Sequence, residues 1–220
     1  MQIFSRISND ISINFRCNMF IVKEMDYINL EKNAEAFVRK SFANCPDHQY
    51  PYHNLVHTVN VVEHAVEIGN FYELRGEYLA VIKIAGWFHD IGHLYGTYEG
   101  HEERGVVVMK GYMEQFKAPE EMISRISDCI RATKFPSHPG SLHEKILCDS
   151  DTYHFGTTYF HQTDPLVRKE VELRTGMHFP EWHKKSIWLL EHHQFFTSYC
   201  QQLLEKGKQE NIKWLKSLPD

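Results

Sequence analysis

Apolar residues recur every three or four positions along most of the chain, which is the spacing of amphipathic helices. The first run follows Asp26, a typical N-cap residue, and ends before Pro46. A second run begins after Asn54. The third, from about Glu77 to Leu94, is apolar nearly all round, so it predicts the central buried helix.

The second half of the chain continues the helical pattern. Further helices are expected from His101, from Pro119, from Leu142 to about His154, from Asp164-Pro165 to Gly176, and from Pro180 onward. Strand signals are scarce, because the β-branched residues stand at helical rather than alternating spacing. The predicted fold class is all-α, a single-domain helical bundle over residues 25–220. Residues 1–24 lack a helical period, and we expect them to be an N-terminal extension.

Composition narrows the class of protein. The chain has 220 residues, of which 42% are hydrophobic and 24% charged, as in ordinary globular proteins. A net charge of -5 argues against a dedicated nucleic-acid binder. The 5 cysteines are scattered and form no C-x-x-C pair, which favours a reducing cytoplasm. The longest apolar run is too short for a bilayer, and we expect neither a membrane segment nor a signal peptide. Oligomeric state is not predicted.

Histidine, with 15 copies, is the unusual component. The stretch Trp87-Phe88-His89-Asp90-Ile91-Gly92-His93 places a His-Asp doublet at the end of the apolar third run. Imidazole and carboxylate groups that are buried need a partner, and both are good ligands for first-row divalent metals. On a continuous helix, at about 100° per residue, His93 would share a face with His89. One doublet cannot complete a site, so further ligands must come from elsewhere in the chain.

Three motifs together resemble the HD superfamily of metal-dependent phosphohydrolases, over roughly residues 26–200. They are Tyr52-His53-Asn54-Leu55-Val56-His57, the doublet stretch itself, and Leu147-Cys148-Asp149-Ser150-Asp151. The first motif also resembles the Y-H-N-x-x-H signature of cyclic nucleotide phosphodiesterases. The resemblance implies an HD-type bundle of helices that hydrolyses phosphate esters with a bound metal ion.

The resemblance also implies the ligands of that divalent ion, which are His57, His89, Asp90 and Asp151. Such a mixed N/O set suits Mn, Fe, Co, Ni, Mg or Zn. Asp149 is a rival for the last position. His101 resembles the first of two extra histidines found in members that hold two metals, but threonine, Thr133, stands where the second is expected. One tight ion is therefore favoured over two, with His138 as a substitute ligand if there is a second.

The same resemblance implies roles in catalysis for His93 and His53, while charge and position in the sequence suggest further residues. His93 is expected as an acid or base near the metal, and His53 resembles the phosphodiesterase residue that protonates the leaving oxygen. Glu102 would orient His101 or act as a base, or else stabilise the first turn of a helix. The residues expected to bind an anionic substrate are Arg104, Lys134 and His138.

The predicted function is hydrolysis of a small phosphorylated substrate, a nucleotide or another phosphomonoester or phosphodiester, by a metal-bound water. One alternative is a di-iron oxygenase of the HD type, which needs a full second ligand set. Thr133 counts against it. Another alternative is a non-catalytic nucleotide-sensing domain that has kept the ligands.

Overall fold

The computed structural model describes residues 25–45 and 50–219, and all regular elements within those ranges are helical. The α-helices are α1 Tyr27–Ala43, α2 Leu55–Phe71, α3 Gly76–Phe88, α4 His101–Gln115, α5 Glu120–Ala132, α6 Leu142–Asp151, α7 Phe160–Thr175, α8 Trp182–His192 and α9 Ser198–Ser217. Two short 3-10 helices, Ile91–Tyr95 and Tyr153–Gly156, extend the chain after α3 and α6. The predicted all-α fold is confirmed. Residues 1–24 lie outside the described ranges, and their separate status stays a prediction.

Side-chain caps fix the starts of several helices. The Asp26 side chain accepts a hydrogen bond from the backbone N–H of Asn29, and Asn54 caps α2 in the same way through the N–H groups of Val56 and His57. Ser141 opens α6 with a reciprocal capping box. Each such cap contributes about 1 kcal/mol. The Asn54 cap also sets where His57 lies in the first turn of α2.

Helix α3 is buried from Ala80 to Phe88 except at the half-buried Lys83, and it separates two apolar clusters. Its Ala80, Ala85 and Phe88 pack in a cluster with α1, α4 and α5, and its Ile82 packs with α8 and α9. Gly86 allows α2 to approach, because a Cβ there would lie 3.0 Å from Val62 Cγ2. This packing brings the end of α3 beside the start of α2 and the end of α6.

The central helix ends earlier than its apolar pattern predicts. It stops at Phe88, and the chain then turns through His89 and Asp90 into the first 3-10 helix. At Gly92 the backbone of α4 passes so closely that a Cβ would lie 1.9 Å from the carbonyl oxygen of His101. The prediction that His89 and His93 share one face of one helix is therefore wrong, since tight packing against α4 overrides the periodicity.

The last predicted helix is two helices, because residues 193–197 are extended between α8 and α9. Asp149 holds this connection: its Oδ1 accepts from the Phe196 N–H at 2.8 Å, and its Oδ2 accepts from the Thr197 N–H and hydroxyl at 2.8 and 2.6 Å. Both Asp149 oxygens are therefore occupied by hydrogen bonds within the fold, and Asp151 stays the predicted ligand of the two. No helix among the described residues has the length and apolar character to cross a membrane.

Candidate metal centre

The structure brings the four predicted metal ligands to one point from three helices. His57 comes from the first turn of α2, His89 and Asp90 follow α3, and Asp151 ends α6. His57 Nε2 lies 3.2 Å from Asp90 Oδ2, 3.1 Å from Asp151 Oδ1 and 3.3 Å from His89 Nε2. Adjacent ligands of an octahedral ion, with bonds of about 2.1 Å, stand about 3 Å apart. The spacing of these atoms fits one divalent ion between them.

Hydrogen bonding orients the imidazole of His89 for metal binding. Its Nδ1 lies 2.8 Å from the carbonyl oxygen of Gly86, which can only accept, so Nδ1 carries the proton and the neutral ring turns the Nε2 lone pair toward the site. Histidine ligands commonly have this second hydrogen bond. Asp90 Oδ2 is buried without a hydrogen-bond partner among the described residues. A buried carboxylate oxygen beside two imidazole lone pairs fits a bound cation.

The pKa values of Asp90 and His89 also indicate that this cluster favours a bound positive charge. Burial by itself would raise the pKa of Asp90, but the neighbouring charges of His89 and His53 hold the pKa of this carboxyl well below its usual range. Burial opposes a charge on His89 too, yet Asp90 and Asp151 raise its pKa well above the ordinary value. The carboxylates thus require positive charge nearby, which protons supply in the absence of a metal ion.

The second oxygen of Asp90 faces a different group of histidines. Asp90 Oδ1 lies 3.6 Å from His101 Nε2 and 3.7 Å from His93 Nε2. The His101 and His93 rings stack at 3.8 Å, and the His53 ring centroid lies 4.5 Å from that of His93. His101 Nδ1 donates to the Tyr98 carbonyl oxygen at 3.0 Å, which leaves its Nε2 lone pair facing Asp90. His101 therefore has the geometry of the predicted additional ligand.

His93 differs from the other histidines because an arginine contacts it. Arg174 Nη1 donates to His93 Nδ1 at 2.7 Å, and since a guanidinium has no acceptor, the proton of the neutral His93 ring must be on Nε2. Burial and the charge of His53 lower the pKa of His93 strongly. His93 is thus neutral and turns an N–H toward Asp90, so although His53, Asp90 and His93 lie close enough together to surround an ion, the proton on Nε2 argues against metal binding by His93. Its place beside the site agrees with the sequence, but its expected acid or base role is not favoured.

His53 is held by a carboxylate that the sequence motifs do not reveal. Glu170 in α7 is fully buried; its Oε1 lies 2.8 Å from His53 Nδ1, and its Oε2 accepts from the backbone N–H groups of Tyr52 and His53 at 2.9 Å. Arg174, one turn later, contacts Glu170 at 3.4 Å. Glu170 and Arg174 stand four apart on a polar helix, a pattern typical of surface ion pairs, so nothing in the sequence marks them.

The predicted substrate-binding residues are dispersed. Arg104 donates to the carbonyl oxygens of Gly92, Thr97 and Glu99, so its guanidinium holds the loop after the first 3-10 helix. Lys134 lines the large cavity beside the metal centre, whereas His138 lines only a separate surface pocket. All three lie beside proposed site residues in the sequence, but side-chain direction decides which of them faces the site.

Glu102 is buried near His101 and borders the same large cavity. Its Oε1 lies 3.6 Å from His101 Nε2. It also lies in the first turn of α4, where a carboxylate stabilises the helix N-terminus. Its place agrees with stabilisation of the helix start, and the roles of orienting His101 or acting as a base stay predictions.

Two cavities open onto the metal centre. The large one has a volume of about 930 Å³ and is bordered by Asp90, His53 and His101 on one side and by α7 and α8 on the other. The second, of about 230 Å³, lies between α2 and the α6–α7 region. Tyr52, Asp151 and His154 border both cavities. The site is therefore accessible from two directions, and the larger cavity has room for an organic substrate.

Comparison with known proteins identifies the domain. The family model of the HD domain matches residues 54–156, so the chain contains an HD domain and the resemblance read from its motifs is confirmed. This range includes all four predicted ligands. No curated protein matches the chain.

Two solved structures share the fold. One is described as a predicted HD superfamily hydrolase from an uncultured Thermotogales bacterium. It is 21% identical to this chain, and the alignment covers 84% of this chain and 88% of the other, with a TM-score of 0.57. The other is the Lin1889 protein from Listeria innocua, at 15% identity, with 88% of this chain and 96% of that one covered and a TM-score of 0.60. At these identities the likeness establishes the fold.

Proposed function

We propose that this protein is a metal-dependent hydrolase of small phosphate esters. The observation that carries the proposal is the cluster of His57, His89, Asp90 and Asp151 at the wall of a substrate-sized cavity, in which His57 Nε2 lies 3.1 to 3.3 Å from a ligand atom of each of the other three. A divalent ion held there would polarise the phosphoryl group and lower the pKa of a bound water. One tightly bound ion is proposed; its identity among Mn, Fe, Co, Ni, Mg and Zn is left to experiment.

His53 is the proposed proton donor to the leaving oxygen. Its ring borders the large cavity, and the Glu170 carboxylate at 2.8 Å fixes the ring orientation and offsets the charge of a doubly protonated imidazole. This arrangement lets Nε2 release a proton toward the cavity while Nδ1 stays bonded to Glu170. Proton transfer to an alkoxide leaving group is worth about 10² to 10⁴ in rate.

The neighbouring groups position substrate rather than carry protons. The neutral His93 presents an N–H close to Asp90 Oδ1, where a phosphoryl oxygen can accept it. Lys134, on the cavity rim, supplies a cation for the anionic substrate.

Four described cysteines, Cys45, Cys129, Cys148 and Cys200, are free thiols. Together with the lack of a C-x-x-C pair, they support the proposed cytoplasmic setting.

A di-iron oxygenase is the second candidate, because Asp90 Oδ1 faces His101 as a second ligand group would. Two observations weigh against it. His93, the other histidine that faces Asp90 Oδ1, accepts from Arg174 at Nδ1, so its Nε2 carries the proton and offers no lone pair to a second ion. Thr133, where a further histidine is expected, donates its hydroxyl proton to the Ile130 carbonyl oxygen at 2.8 Å. Metal content separates the candidates, since the oxygenase requires two irons and oxygen uptake.

The test combines metal analysis with a substrate panel. Protein purified without added metal is analysed for bound ions, and phosphate release is then measured with Mn, Mg, Ni and Co on nucleoside monophosphates, ribose 5-phosphate and p-nitrophenyl phosphate. We expect phosphate release that Asp90→Ala abolishes. Asp128→Ala changes an exposed carboxylate in α5 and is the matched control. Activity in Asp90→Ala equal to wild type would reject the proposal.

A further inference from the structure

Tyrosine hydroxyls beside the histidines of the site differ in their hydrogen bonding. Tyr50 Oη donates to the carbonyl oxygen of His93 at 3.1 Å. Tyr52 Oη lies 3.3 Å from both ring nitrogens of His154. The hydroxyl of Tyr98 has no hydrogen bond to any described residue, and its oxygen is not among the sealed, unpaired polar atoms, so it is accessible. Because tyrosine hydroxyls in protein surroundings usually find a partner, the Tyr98 hydroxyl is available to a ligand.

The ring of Tyr98 packs directly on the histidines of the site. Its centroid lies 5.4 Å from that of His93, 5.9 Å from that of His53 and 6.0 Å from that of His101. Tyr98 borders the 930 Å³ cavity together with Asp90. Phenylalanine would make the same ring contacts, so packing alone does not account for a hydroxyl at this position.

The loop that carries Tyr98 is held in place by two arginines. It connects the first 3-10 helix to α4, and Tyr98 is half-buried whereas the other residues of the loop are exposed. Arg104 donates to the carbonyl oxygens of Thr97 and Glu99, on either side of Tyr98. The guanidinium carbon of Arg174 lies 5.4 Å over the Tyr98 ring. The ring is therefore positioned against the site before a ligand binds.

The surroundings of the Tyr98 hydroxyl favour its neutral form. Burial, and then the carboxylates of Asp90 and Glu170, raise the pKa of Tyr98 to about 12. A neutral phenol donates a hydrogen bond to an anionic oxygen without adding negative charge to the site. His93 supplies a second neutral donor close to Asp90 Oδ1.

An unpaired hydroxyl at this place gains most from an acceptor oxygen that carries charge, because charge-assisted hydrogen bonds are about twice as strong as neutral ones. The ligand proposed for the metal centre has such oxygens. A phosphoryl group has more than one non-bridging oxygen, so one can bind the metal ion while another accepts from a protein donor. Tyr98 borders the cavity on the side of Asp90 where that second oxygen would lie.

We propose that Tyr98 is a substrate-binding residue, whose hydroxyl donates a hydrogen bond to a phosphoryl oxygen of the ligand at the metal centre. The proposal rests on the proposed function for the presence of a phosphoryl group there. Removal of the hydroxyl takes one donor away from a charged oxygen. Loss of a hydrogen bond to a charged group weakens binding by about 10- to 150-fold.

Inorganic phosphate is the probe, because it binds without turnover. Titration calorimetry of the metal-loaded protein should show a Kd for phosphate that is at least about tenfold higher in Tyr98→Phe than in the wild type. Metal content and the urea midpoint should stay at the wild-type values, because phenylalanine keeps the ring contacts. Equal Kd values, or a wild-type protein that does not bind phosphate, would overturn the proposal. Loss of bound metal in Tyr98→Phe would also overturn it, since the hydroxyl would then act on the structure.

Tyr95→Phe is the matched control. Tyr95 ends the preceding 3-10 helix, is 52% exposed and does not border the cavity. This variant should bind phosphate as tightly as the wild type. If it loses as much affinity as Tyr98→Phe, the effect is not specific to the Tyr98 hydroxyl and the proposal is rejected.

The two proposals fail in different ways. If Tyr98→Phe binds phosphate and hydrolyses esters as the wild type does, the phosphohydrolase stands and the role of Tyr98 is rejected. If Tyr98→Phe weakens phosphate binding but the wild type hydrolyses no ester with any metal, the role of Tyr98 stands and the hydrolase is rejected. The second outcome would favour the nucleotide-sensing alternative.

Discussion

Glu170 Oε1 lies 2.8 Å from His53 Nδ1, although the two residues are separated by 117 positions in the chain. The contact joins α7 to the loop before α2 and makes α7 part of the candidate active site. The same helix holds His93 through Arg174 and borders the substrate cavity through Val167 and Val171. One helix outside the range that matches the HD domain thus positions a proposed proton donor, a buried histidine and a cavity wall.

Glu170→Gln tests the proton donor. With the oxygen of the substituted side chain still facing the two backbone N–H groups, its amide nitrogen would donate to His53 Nδ1, and no carboxylate would offset the charge of a doubly protonated ring. We expect kcat to fall about 100-fold for an alkyl phosphate and little for p-nitrophenyl phosphate, whose leaving group needs no proton. Bound metal should be unchanged.

Glu172→Gln is the control for this variant, because Glu172 is in the same helix but pairs with Arg168 at 3.0 Å, away from His53. It should keep wild-type rates on both esters. An equal loss of rate on the alkyl and p-nitrophenyl esters in Glu170→Gln would show that Glu170 stabilises the structure but does not assist proton transfer from His53.

Arg174→Met tests the protonation of His93. Without the guanidinium donor, His93 Nδ1 loses its hydrogen bond and the proton is free to move from Nε2 to Nδ1. Nitrogen NMR of histidine-labelled protein should show an unprotonated Nδ1 in the wild type and a mixture of tautomers in the variant. Loss of such orienting hydrogen bonds costs about 10- to 100-fold in activity.

Arg168→Met removes an arginine from the same helix without contact to His93 and should match the wild type in both measurements. An unchanged His93 spectrum in Arg174→Met would show that Arg174 does not determine the tautomer of His93.

Gly92→Ala tests the close approach between Gly92 and the start of α4, which positions His101. A Cβ would meet the His101 carbonyl oxygen at 1.9 Å, so the start of α4 must move and His101 with it. We expect a loss of about 1 to 3 kcal/mol of unfolding free energy, measured by urea denaturation. Gly111→Ala in α4 meets no atom within 4 Å and should stabilise the protein by about 0.5 to 1 kcal/mol. A Gly92→Ala variant as stable as wild type would contradict the described packing.

His193 predicts a pH dependence of stability. Burial lowers its pKa to about 3, with a further contribution from Lys208, and its Nε2 lies 2.9 Å from the Thr152 hydroxyl. The unfolded chain therefore binds the proton between about pH 6.5 and pH 3 and the folded chain does not, so stability falls as pH falls through that window. This histidine alone should cost about 2 kcal/mol between pH 7 and pH 5.

The pH dependence is measured by urea denaturation of the metal-free protein at both pH values. His193→Gln should reduce the loss of stability on acidification by about that amount. His192→Gln changes the exposed neighbouring residue and should follow the wild type. Identical pH dependence in wild type and His193→Gln would contradict the assignment.

The sequence predicts the metal centre better than its surroundings. His57, His89, Asp90 and Asp151 stand in motifs with fixed local spacing, and helical periodicity predicts the elements that carry them. Glu170 and Arg174 contact residues of distant parts of the chain, and periodicity does not encode such contacts. The end of α3 at Phe88 depends on the close approach of α4 at Gly92, so the apolar pattern alone extends the helix too far. Arg104 shows that closeness in sequence to the doublet does not place a side chain in the cavity.

Metal content of a matched pair of variants tests the central claim most directly. His57 and His64 lie two turns apart in α2, but only His57 faces Asp90 and Asp151, whereas His64 pairs with Glu67. Elemental analysis of purified protein should give one divalent ion per chain in the wild type and in His64→Ala, and none in His57→Ala, with all three equally helical by circular dichroism. Metal retained by His57→Ala at the wild-type level would contradict the proposed site.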